Sequence, residues 1–82
     1  MENLTVLFLH TQYRAQSHQF IVGEDGLVNY NSIRIAPRDC FQLFLVDYPM
    51  FNVIRAEICQ RISTPDGPKE YKWVELEKYR GN

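Results

Sequence analysis

The chain has little of what most sequence-readable chemistry requires. It has four glycines in 82 residues and no glycine loop of the kind that cradles a phosphate, which argues against phosphate-loop nucleotide chemistry. No His-Glu-x-x-His, nucleophile elbow or calcium loop is present. The longest apolar stretch near the start, residues 4–9, is interrupted by Thr5 and follows Glu2 without a basic lead-in or a small-residue cleavage site. It is expected to be neither a signal peptide nor a membrane span. Two cysteines, Cys40 and Cys59, form no Cys-x-x-Cys pair and no dense framework, so they read as reduced thiols in a cytoplasmic protein.

Net charge is also nearly absent. Nine Lys and Arg against ten Asp and Glu give a formal charge of −1. Non-specific nucleic-acid binding draws on a basic surplus, which this chain lacks as a whole. No stretch is Pro-rich, Ser-rich or repetitive, so residues 1–82 are expected to form one compact domain. The chain is 45% hydrophobic and 23% charged, as globular domains are. A chain of this size buries roughly 60–65% of its unfolded surface and has a stability of about 4–12 kcal/mol, so a homodimer would be a useful supplement.

The pattern reads as mainly β. Residues 4–9 are β-branched, aromatic and apolar on both faces, which suits a central strand. Residues 19–22 and 27–30 flank Gly23-Glu24-Asp25-Gly26, a turn whose glycines accept positive φ. Thr64-Pro65-Asp66-Gly67 is the strongest turn signal, with Pro presetting φ and Gly67 expected in the left-handed position of a bulged hairpin. Its arms, residues 53–63 and 69–79, should pair antiparallel. Ile54, Ala56, Ile58 and Ile62 on one arm, and Tyr71 and Trp73 on the other, are expected to carry much of the core.

Residues 36–48 fit two periods. Phe41, Phe44, Leu45 and Tyr48 have helical spacing, Pro37 suits a first helical position and Pro49 an end, whereas Phe41, Leu43 and Leu45 alternate and tip the balance slightly toward strand. Residues 52–63 also place Ile54, Ile58 and Ile62 four apart, but the turn that follows favours strand. The expected architecture is a small antiparallel barrel or sandwich of five to six short strands, with one short helix around residues 37–48 as the deviation.

Three sets of residues could carry function. His10, His18, Cys40 and Cys59 are soft-metal ligand types, but their spacing matches no zinc pattern, so no metal or cofactor is expected. A histidine beside Glu24, Asp25 or Glu57 could support acid–base chemistry of a small ribonuclease-like kind, a combination that any chain of this composition offers. Every cation before residue 69 is Arg, and Tyr13, Arg14, His18, Tyr30, Arg34 and Arg38 interleave rings with guanidinium groups as single-strand nucleic-acid platforms do. An Arg bias also follows from genomic base composition.

The reading that asks least is a cytoplasmic protein-interaction or regulatory domain, inhibitor- or adaptor-like and without catalysis. Eleven aromatics exceed what a thin core hides, which makes Tyr48, Phe51, Trp73 and Tyr79 candidates for exposure. The partner site is placed at Tyr48, Met50 and Phe51, where Pro49 interrupts an apolar run; folding of those rings back into the core is the competing reading. The open edges of a sheet offer another route to a protein partner or a second copy.

Overall fold

The computed structural model describes residues 4–12, 17–67 and 70–79. Six strands form one antiparallel sheet: β1 Leu4–Thr11, β2 His18–Val22, β3 Val28–Tyr30, β4 Ile33–Ile35, β5 Val53–Ile62 and β6 Glu70–Glu75, in the order β4-β3-β2-β1-β5-β6. The mainly-β reading therefore stands, as one open sheet with edges at β4 and β6 rather than a closed barrel. β1, apolar on both faces, lies between β2 and β5 as a central strand should.

Helix α1, Pro37–Asp47, is the one short helix allowed for around residues 37–48, and it overrides the slight lean toward strand there. Pro37 starts it where a missing N–H costs nothing, Asp39 sits in the first turn, and Pro49 follows the C-cap residue Tyr48. The alternation of Phe41, Leu43 and Leu45 loses because Pro37, Cys40 and Phe44 fall on one helical face and are buried against the sheet, with Phe41 beside them. The core consists of that face packed on Leu7, Leu9, Val22, Val28, Tyr30, Ala56 and Ile58, closed at one end by Leu76.

The turns account for the registers. In the β2–β3 hairpin Gly26 takes φ 81°, and Asp25 Oδ1 accepts the Leu27 N–H at 3.1 Å. Gly23 keeps an ordinary φ; its missing side chain instead admits Arg34, since a Cβ there would lie 2.7 Å from the guanidinium. Asn31 and Ser32, both at positive φ between paired Tyr30 and Ile33, make the two-residue turn that produces the unforeseen strand β4. Gly67 does not adopt the left-handed conformation expected of it.

Two parts of the expected core are corrected by register. The β1–β5 pairing jumps from His10–Arg55 to Thr11–Val53, so Ile54 is the extra residue of a bulge and stands exposed. Cys59 pairs with Trp73 while Ile58 pairs with Val74, which puts Trp73 and Tyr71 on the face opposite Ile58 and Ala56.

Candidate functional site

An antiparallel sheet has two faces, and α1 covers only one. The registers place on the other face three neighbouring rows of side chains across the strands. The middle row is Ile21, Val6, Cys59 and Trp73 from β2, β1, β5 and β6. On one side lie Leu4, Arg61 and Tyr71; on the other lie Gln19, Phe8, Glu57 and Glu75, followed by His10 and Arg55. An uncovered face normally alternates to polar residues. Here Ile21 is 64% exposed, Tyr71 60% and Trp73 46%.

The rings on this face are organised. Phe8 and Trp73 have centroids 5.0 Å apart, and the His10 ring stacks at 5.9 Å from Phe8 and lies 6.2 Å from Trp73. His10 Nε2 comes 2.8 Å from Glu57 Oε1, off the axis of a hydrogen bond, and Arg55 Nε lies 3.6 Å from the same oxygen. Of the acid–base pairings considered from sequence, His10 with Glu57 is therefore brought together. A carboxylate that orients an imidazole is one component of acid–base catalysis. The nearest thiol, Cys59, lies two rows from His10. Burial, the largest influence on that thiol, raises its pKa, with Glu57 adding to the rise and Arg61 opposing it, so it is held as the weakly nucleophilic thiol.

The remaining candidates lie elsewhere. His18 is on the covered face, its ring 4.5 Å from Phe51 and 4.9 Å from Phe44. Tyr30 is buried and its hydroxyl donates to Asp47 at 2.6 Å; burial first, and then that carboxylate, raise its pKa. Arg34 is paired with Asp25, whose pKa is lowered chiefly by that hydrogen bond, and Arg38 donates to the Glu77 carbonyl at 2.7 Å. These four do not form one open platform; Tyr13 and Arg14 lie outside the described residues. The metal-ligand types divide, with His18 and Cys40 on the helix side and His10 and Cys59 on the open face. Among the described residues no three His, Cys, Asp or Glu side chains gather.

Of the proposed partner residues, Phe51 packs against the core and Tyr48 is 36% exposed with its ring 4.9 Å from Phe44, so both rings fold back toward the helix. Met50 alone stands out, at 70% exposed. A groove of about 770 Å³ runs between α1 and β5, lined by Arg38, Phe41, Ile54, Ala56 and Leu76 among others. No described helix is long and apolar enough to cross a membrane. Searches of protein-family models, curated proteins and solved structures each find no match to this chain.

The sequence reading missed the open face as a unit. The signal was present in residues 4–9, apolar at both odd and even positions, but assigning it needs the β5–β6 register. Only that register shows which ladder of side chains Tyr71 and Trp73 join.

Proposed function

We propose that this chain is a non-catalytic protein-interaction domain, regulatory or adaptor-like, that acts through the uncovered face of its sheet. The observation that carries the reading is the apolar row Ile21, Val6, Cys59 and Trp73, flanked by Phe8 and Tyr71, on a face that no other described element covers. Contiguous apolar surface rimmed by charge is the usual mark of a protein contact, and Trp, Tyr and Arg are its usual anchors. A reducing compartment such as the cytosol belongs to the same reading, supported by Cys40 and Cys59, which lie on opposite sides of the sheet and are both buried as free thiols.

The test is a pair of variants in which Trp73→Glu and Ile21→Glu each place a charge in the row. Both are expected to remain folded by near-UV circular dichroism while losing self-association and the proteins that the unaltered chain retains from host lysate. Retention of every association by both folded variants would overturn the reading.

Single-strand nucleic acid is the second reading, and it is favoured by Phe8, Tyr71 and Trp73 lying beside Arg55 and Arg61 on this same face. Glu57 and Glu75 sit among those rings and oppose a phosphate backbone. Titration with a labelled oligonucleotide at low salt separates the two, since the protein-interaction reading expects no saturable binding.

A further inference from the structure

Resting on the interaction reading above, we propose that the open face is occupied by a second copy of this chain, packed sheet to sheet about a two-fold axis that runs along the Ile21–Val6–Cys59–Trp73 row. The argument comes from where the registers place charge. That operation lays the apolar row of one copy on the same row of the other and exchanges the rows on either side. Leu4 of each copy then comes opposite Phe8 of the other, and Tyr71 opposite Glu75. Arg61 comes opposite Glu57, because both belong to β5 and sit two residues on either side of Cys59.

The face is thus self-complementary in both respects that matter. Apolar residues meet apolar residues along the axis, and the cation at one end of the β5 column meets the anion at the other, twice per dimer. Aligned sheets pack about 10 Å apart, a gap that facing Arg and Glu side chains together span. A heterologous partner would need to supply this same pattern, a cation and an anion on either side of an apolar band; a second copy already carries it.

The area fits a modest dimer. Four strands about 4.8 Å apart and three rows about 6.7 Å apart outline roughly 400 Å² in plan on each copy. The two copies together then cover about 800 Å² before side-chain relief is counted, below the roughly 1,200 Å² at which standard interfaces begin, so the dimer belongs to the weak, transient class. The expected dissociation constant is micromolar. Glu57 also lies beside His10 and Arg55 within its own chain.

Sedimentation equilibrium of the full chain up to about 500 μM, well above the micromolar constant expected, tests the proposal. Arg61→Glu places like charges opposite each other and is expected to weaken the dimer at least about tenfold, as is Glu57→Arg alone. The double variant restores opposite charges across the axis and is expected to return the constant to within about threefold of the original, a coupling that independent sites do not show. Near-UV circular dichroism checks that each variant is folded. A chain that stays monomeric at the highest concentration overturns the dimer, as does a double variant no tighter than either single one. Either result leaves the interaction reading in place, and that reading falls only if Trp73→Glu and Ile21→Glu both retain every partner.

Discussion

The two faces of the sheet are built from the same strands and from similar side chains, yet only one is a core. On the covered face Leu7, Leu9, Val28 and Ile58 are wholly buried, because α1 lies over them and brings Phe44 into a cluster with His18, Phe20, Tyr48 and Phe51. On the open face Val6, Phe8, Ile21 and Trp73 lack such a layer, and only Cys59, enclosed between the Val6 and Trp73 columns, is buried. The difference lies in what the chain supplies as cover. One eleven-residue helix, with Phe51, Leu76 and Tyr79, covers one side of the six-stranded sheet, and nothing among the described residues covers the other.

If that contrast is sound, truncations on the two faces must differ in kind. Phe44→Ala removes the ring around which four others pack and is expected to cost about 3–5 kcal/mol in chemical denaturation, enough to unfold much of the population. Trp73→Thr on the open face keeps β propensity but loses the ring contact with Phe8, and is expected to cost the dilute chain about 1–2 kcal/mol, well below Phe44→Ala. Equal costs would show that the open face is as much a core as the covered one.

Alkaline titration sharpens the comparison next. Burial pushes the Cys40 thiol up to about 11 from an ordinary value near 9, so folding favours the protonated form. Its contribution is complete below pH 9 and is lost as the pH rises toward 11, where the unfolded chain ionises and the folded chain resists. A denaturation midpoint that falls over this window, and falls less in Cys40→Ala measured against its own value at pH 8, is the expected result.

A further effect concerns a flaw within the covered face. His18 Nε2 is buried without a hydrogen-bond partner among the described residues, between the rings of Phe44 and Phe51. His18→Phe fills the same space without the orphaned nitrogen and is expected to raise stability by about 1 kcal/mol. A loss of stability on this change would mean that the nitrogen is satisfied and that the covered face carries a polar requirement.

How much of this was legible follows from which interactions are local. The β2–β3 turn, the 64–67 turn and the pairing of the arms around it could be read because Gly26 and Pro65 act within four residues of themselves. The edge strand β4 could not, because Ser32 at positive φ is an uncommon choice and Ile33–Ile35 is too short to show a period. The helix was readable from Pro37 and from the spacing of Phe41, Phe44, Leu45 and Tyr48, but competed with an alternation that only packing removes. For the site, the sequence points to Tyr48, Met50 and Phe51, and offers Trp73 chiefly to the core and Glu57 only to an acid–base pairing. A period of two shows that Tyr71 and Trp73 share a face, and the choice of face is made by Cys59 across the ladder. The interleaved Tyr and Arg residues misled because sequence proximity does not reveal that Arg34 closes on Asp25 and Tyr30 on Asp47.

The position of β1 also sets a timetable for synthesis. β1 pairs with β2 almost as soon as both exist, but its other neighbour arrives from far along the chain, where Leu4 meets Arg61. A nascent chain that has completed β1–β4 therefore carries an uncovered core face until α1 leaves the ribosome and a bare β1 edge until β5 follows. Messages cut short before residue 53 should yield products bound by holdase chaperones or lost to proteolysis. Slowing translation after α1 should lengthen that exposure rather than relieve it.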